Sequence, residues 1–144
     1  MASRSEQVLS ALLDRLRQLP GIGAERNSVL AERIPEGGLV ILRDGDPGDP
    51  EQALGGFTSV YYRHAVELEL YAGSGDQMVR DQTFDDLATA VGSALDADPT
   101  LGGLVFGMSY GRPEVATEAP EGGAAIKSGT ITLVLDYEAP SPLG

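Results

Sequence analysis

The stretch from Tyr61 to Tyr110 limits what this chain can fold into more than any other. Between Tyr61 and Tyr71 the residues alternate: Tyr62, His64, Val66, Leu68 and Leu70 fall on one side, Arg63, Glu67 and Glu69 on the other. Successive side chains on a strand point to opposite faces, so this is a half-buried strand with one apolar and one charged face. Gly73 and Gly75 end it. Phe84, Leu87, Ala88, Val91, Ala94 and Leu95 then recur every three or four residues, the spacing of a helix with one apolar stripe. Asp98-Pro99 stops that helix, because proline disfavours helical geometry in the residue before it. Leu101-Gly102-Gly103-Leu104-Val105 turns the chain into a strand that begins at Leu104 and ends at Met108 and Tyr110. A helix with one apolar stripe must bury it against another layer, so this strand–helix–strand unit is the core of the domain.

The flanks add a first helix and further strands to that unit. Ser3-Arg4-Ser5-Glu6 has capping-box spacing, and Val8, Leu9, Leu12, Leu13, Leu16 and Leu19 follow at helical spacing as far as Pro20-Gly21. Gly21-Ile22-Gly23 opens an irregular segment, Val29 to Ile34 reads as a short strand, Pro35 to Gly38 as a turn, and Leu39 to Leu42 as a buried strand. Residues 43–56, with Asp44, Asp46, Asp49 and two prolines, read as a long mobile loop. Residues 111–123, with Arg112, Glu114 and Glu118, read as a second long loop or a protruding hairpin. The last strand runs from about Ala125 to Tyr137 with Ile131, Leu133, Leu135 and Tyr137 toward the core, and residues 138–144 form a flexible tail. These segments predict a single α+β domain over residues 1–144: a mainly antiparallel sheet of four or five strands with two helices packed on one face. The face carrying Arg63, Glu67 and Glu69 is left bare, either solvated or turned toward a neighbour or a channel.

Composition narrows the chemistry. With no cysteine there is no disulfide, thiolate metal site or thiol nucleophile, and the single histidine, His64, rules out a multi-histidine metal site within one chain. The formal net charge of −12 repels nucleic-acid phosphates, and the ten Lys and Arg are scattered. No apolar run approaches bilayer length, and the first residues lead into an amphipathic pattern rather than a signal core, so a soluble cytosolic protein without membrane contact is expected.

The motifs that resemble active sites fail on context. Gly107-Met108-Ser109-Tyr110-Gly111 matches the Gly-x-Ser-x-Gly nucleophile elbow, which needs a helix directly after the serine. Arg112-Pro113-Glu114 opens a loop instead, and His64 precedes Ser109 where the hydrolase order requires it to follow. Counting from Asp44, the positions that an EF-hand loop needs at five, six and twelve hold Gly48, Asp49 and Gly55, so that match fails too, leaving a solvated acidic loop or an ion site of another kind. Gly21-x-Gly23 follows a helix rather than a strand and lacks a third glycine, so it is not a dinucleotide fingerprint. Asp81, Asp85 and Asp86 sit near the start of the second helix, where Thr83-x-x-Asp86 has capping spacing and negative charge favours the helix dipole. His64, on the apolar face of its strand, reads as a hydrogen-bonded core or interface residue. No cofactor pattern is present.

Three features in order resemble the tail terminator proteins of long-tailed bacteriophages and of phage-derived gene transfer particles. These are the opening helix Val8 to Leu19, the alternating strand Ala65-Val66-Glu67-Leu68-Glu69-Leu70 followed by a helix and Ala97-Asp98-Pro99-Thr100-Leu101-Gly102-Gly103-Leu104-Val105, and the closing strand Gly129 to Tyr137. Asp98 to Val105 is the most specific of them, and residues 21–56 carry no matching motif. The resemblance implies a non-enzymatic assembly protein that forms a ring, usually of six subunits, on the end of the tail tube. Such a ring meets the tube protein on one side and the head connector or stopper on the other, at the particle neck, and DNA passes through it without tight binding. It makes Arg63, Glu67 and Glu69 candidates for a ring interface or lumen, and Asp44, Asp46, Asp49, Arg112, Glu114 and Glu118 candidates for partner contacts. A head-closure or stopper protein, a generic binding domain and a small hydrolase using Ser109 are the competing readings.

Overall fold

The computed structural model describes residues 2–29, 34–52, 59–118 and 123–144. Helix α1 (Arg4–Arg17) begins where the capping box predicts: the Ser3 hydroxyl accepts from the Glu6 amide at 3.1 Å. It buries Val8, Leu9, Leu12, Leu13 and Leu16. The strands are β1 (Gly23–Arg26), β2 (Leu39–Asp46), β3 (Glu51–Gln52), β4 (Val60–Gly73), β5 (Gly107–Tyr110), β6 (Glu114–Glu118) and β7 (Ile126–Ala139), with α2 (Gln77–Ala97) between β4 and β5.

All seven strands found among the described residues join one sheet in the order β1-β2-β4-β7-β5, with β3 beside β4 and β6 beside β7. Only the β1–β2 pairing is parallel. Its centre is the β4–β7 ladder, which runs unbroken from Val60 opposite Ala139 to Gly73 opposite Ile126. Pleating then sorts the side chains. Tyr62, His64, Val66, Leu68, Leu70 and Ala72 of β4 share the core face with Ile131, Leu133, Leu135 and Tyr137 of β7, and with Val40 and Leu42 of β2. Both helices cover that face, α2 over β4 and β7 and α1 over β1, β2 and β7. The α+β class and the one-sided helix layer are as expected, but the sheet has more than four or five strands. The additions, β1, β3 and β6, are short edge segments held by backbone pairing, with little burial to imprint a period-two pattern.

Several boundaries differ from expectation, each for a local reason. Gly23–Arg26 is a strand rather than irregular, because it pairs in parallel with Leu39–Leu42. The expected strand Val29–Ile34 lies mostly outside the described residues. Arg43–Asp46 continues β2 rather than opening a loop, with Gly45 at φ +66 where the ladder slips between Arg43 and Asp46. Residues 53–56 of the expected loop lie outside the described residues. Helix α2 starts earlier than expected, since Asp76 accepts from the Met78 and Val79 amides; Thr83 and Asp86 are therefore inside the helix and cap nothing. Leu101, Gly102 and Gly103 all take positive φ, a run incompatible with a strand, so β5 begins only at Gly107. Glu114–Glu118 forms β6 against β7 instead of a free loop. The tail is not loose either: β7 reaches Ala139, Tyr62 Oη donates to the Pro142 carbonyl at 2.9 Å, and the Arg4 amide donates to Gly144 at 3.0 Å.

Candidate functional site

The sheet face away from the helices gathers most of the residues singled out from the sequence. On β4 it carries Tyr61, Arg63, Ala65, Glu67, Glu69 and Tyr71, opposite Glu138, Asp136, Val134, Thr132, Thr130 and Ser128 of β7. Glu114 lies beside Thr130 and Glu118 beside Ile126, so β6 adds both carboxylates to the same face. Across its centre six acids, Glu67, Glu69, Asp136, Glu138, Glu114 and Glu118, stand against two cations, Arg43 and Arg63. Glu51 opposite Tyr61 and Glu25 opposite Ile41 extend the acidic surface toward the edges. Arg43 binds Glu69 at 3.1 Å, and Arg63 contacts Asp136 at 3.4 Å. Among the described residues Glu67, Glu138, Glu114 and Glu118 have no ion-pair partner. Glu69 also accepts from Tyr71 Oη at 2.8 Å; burial and this acidic neighbour push the Tyr71 hydroxyl up to about 12. Two apolar side chains of β2, Leu39 and Ile41, are buried on this side of the sheet, with Pro35 packed near Leu39 at the Gly23 backbone. At the opposite corner Tyr61 and Phe106 form an aromatic pair with centroids 5.8 Å apart, and Phe106 is largely exposed.

A second polar cluster closes the core on the helix side. His64 is buried, with Nδ1 2.8 Å from Tyr137 Oη and Nε2 against the Asp44 carbonyl oxygen. A carbonyl can only accept, so Nε2 carries the proton and Nδ1 accepts from Tyr137. Tyr137 Oη in turn takes the Ser5 hydroxyl at 2.7 Å. Neutral imidazole satisfies this chain of donors, and burial lowers the His64 pKa against the opposing pull of Asp44 and Asp46. The Asp44 carboxylate is held bidentately by Arg26, at 2.7 and 3.0 Å, and Arg26 also binds Glu6 at 2.8 Å. The guanidinium lowers the Asp44 and Glu6 pKa values. Ser5, Glu6, Arg26, Asp44, His64 and Tyr137 thus tie α1, β1, β2, β4 and β7 together. The hydrogen-bonded core histidine was legible from its place on the apolar face. The rest was not, since Arg26 lies in a segment without periodicity and Asp44 in a stretch whose composition reads as a loop.

The other candidates are dispersed. Asp46 accepts from the Gly48 amide at 2.8 Å, and Asp49 is exposed in the turn that follows. Arg112 is exposed between β5 and β6. Ser109 sits within β5 opposite Val134, on the open face, whereas His64 is buried on the other; the strand runs on to Tyr110 without a helical elbow. Tyr110 instead donates to Asp96 of α2 at 2.6 Å. No cluster of three His, Cys, Asp or Glu suited to a metal, and no helix long and apolar enough to cross a membrane, occurs among the described residues.

Fold and site define an α+β domain with one helix-covered and one open, acidic sheet face. Compared with known proteins, the chain matches no family model and no curated protein.

Proposed function

We propose that this chain is a structural assembly protein of the tail terminator type: a ring-forming subunit that caps a phage-type tail tube and joins it to the head connector. The observation that carries the reading is the open sheet face. A large, ordered, charged face that neither helix covers, and that is buried among the described residues only at the Leu39 and Ile41 edge, is what a subunit built to meet neighbours or line a passage presents. The resemblance of the helix–strand–helix–strand order to terminators supports the particular role. The net charge of −12 fits a passage through which DNA moves without being gripped, because tight binding requires neutralised phosphates. A terminator must match the tube on one side and lack tube complementarity on the other, which is what halts growth.

Electron microscopy of a lysate lacking the gene tests this. Tails that grow past normal length and fail to join heads are the expected result. Normal-length tails beside DNA-leaking heads would assign a stopper role, absence of tails a tube subunit, and unaltered particles would sink the reading.

A further inference from the structure

We infer that the open sheet face docks on helix α1 of a second copy of the same chain, head to tail, through Arg15 and Arg17. This rests on the ring reading and names which surface meets which. The centre of the face carries six carboxylates and two arginines, so its charge is strongly one-sided. A second copy placed face to face would set acid against acid, which excludes the self-matched arrangement. The mating surface must instead be one of the chain's own cationic patches, and among the described residues these are few. Arg26 is neutralised by Glu6 and Asp44, Lys127 is paired with Asp81, and Arg80 is buried. Arg4, at the first residue of α1, and Arg112, between β5 and β6, are each the single cation of their local stretch of sequence. The exposed side of α2 is acidic, with Asp85, Asp86 and Asp96. The last turn of α1 is different. It carries Arg15 and Arg17 on its two flanks, each bonded among the described residues to a backbone carbonyl alone, of Ala94 in α2 and of Ala24 in β1, with Asp14 the nearby acid on the helix.

Size is compatible with a stable contact. The β4–β7 ladder is fourteen residue pairs long, and with the shorter β2, β5 and β6 beside it the face spans roughly 700 Å² at ordinary strand rise and spacing, close to the about 800 Å² each partner contributes to a standard interface. The face and the helix layer lie on opposite sides of the sheet, so the contact is heterologous and each copy uses both surfaces once. Repetition closes a ring when the rotation between copies divides a full turn.

The experiment is charge exchange, read by sedimentation velocity on the full chain over a range of concentration and salt. Glu67→Lys with Glu114→Lys and Glu118→Lys leaves the centre of the face with three carboxylates and five cations. Arg15→Glu with Arg17→Glu makes the end of α1 acidic. Wild type should self-associate and weaken with salt, and each variant alone should associate roughly tenfold or more weakly. Mixed one to one, the two variants should associate again, because the reversed face of one then meets the reversed helix end of the other. Circular dichroism checks that each is folded, and Arg17→Glu alone serves if the double variant is not. The same charge change on α2, Asp85→Lys with Asp86→Lys and Asp96→Lys, should leave association as in wild type. A wild-type monomer at every concentration, variants that associate like wild type, or folded variants that fail to recover on mixing would each overturn the inference. If rings form and the deletion lysate shows overgrown tails while the exchange fails, the terminator reading stands and this contact alone is wrong.

Discussion

Replacing Tyr137 by Phe removes one oxygen from the most heavily tied point in the core. The Tyr137 ring is fully buried and packs beside Tyr62 at 5.5 Å, and Phe keeps that packing. What is lost is the hydroxyl that donates to His64 Nδ1 and accepts from Ser5 Oγ. Ser5 is only half buried and recovers a water. His64 is not: its Nε2–H is committed to the Asp44 carbonyl, so Nδ1 remains a buried acceptor with no donor. Leaving such a group unsatisfied costs about 1–3 kcal/mol. Urea unfolding of the two proteins measures this directly, with an unchanged slope showing that only stability moved. Ser5→Ala supplies the control, because it should cost less in the Tyr137→Phe background than in wild type, the partner hydroxyl being already absent. A loss under about 0.5 kcal/mol, with the Ser5 and Tyr137 effects simply additive, would refute the bonded chain.

Other expectations follow from single groups. Gly45→Ala should destabilise by about 2 kcal/mol or more in thermal or urea unfolding, since the residue sits at φ +66 and a Cβ would overlap the Ala65 carbonyl oxygen. Asp76→Ala should cost roughly 1 kcal/mol, the usual worth of an N-cap whose carboxylate serves two amides. For pH, burial lowers the His64 pKa in the folded state, so its contribution is complete above the unfolded value of 6.5 and is lost as pH falls below it. Wild type should therefore lose stability from about pH 6.5 downward and His64→Gln should lose less over that interval. The lowered pKa values of Asp44 and Glu6 add a separate loss only as pH falls through the carboxylate range.

Where burial was continuous the sequence read well, and where backbone pairing alone held a segment it did not. β4 has fourteen residues and one fully covered face, so each alternate position from Tyr62 to Leu70 is constrained by the core and shows it. α2 buries Phe84, Leu87, Val91 and Leu95, and the stripe is plain. β6 is exposed at all five positions, so nothing forced Glu114–Glu118 to alternate, and with Val115 its one large apolar residue the segment reads as a loop. The same holds for β1, whose four residues are all half buried at the sheet edge. The candidate face was half legible for this reason: Arg63, Glu67 and Glu69 came from the pattern of β4, while Glu114 and Glu118 joined them only through their register with β7.

The two polar sites are linked by the strand that both share. Along β2, Leu42 and Asp44 point to the helix side and Arg43 to the open side, because neighbouring residues alternate. Asp44 thereby reaches Arg26 and, through its carbonyl, His64, while Arg43 reaches Glu69. The register slips between Arg43 and Asp46, so Asp44 stands just past the last regular pair of β2, with Gly45 at φ +66 completing the slip. On the helix side, Glu6 and Ser5 then fasten the first turns of α1 to Arg26 and Tyr137. At its other end the helix is fastened by Arg15 and Arg17 to backbone carbonyls of α2 and β1. A helix pinned at both ends is a rigid carrier for surface charge. Under the contact proposed above the buried network has a second role, since the helix it holds in place is the one that carries Arg15 and Arg17. If α1 meets a second copy as proposed above, loosening the network, as at low pH or in Tyr137→Phe, should weaken that association along with stability.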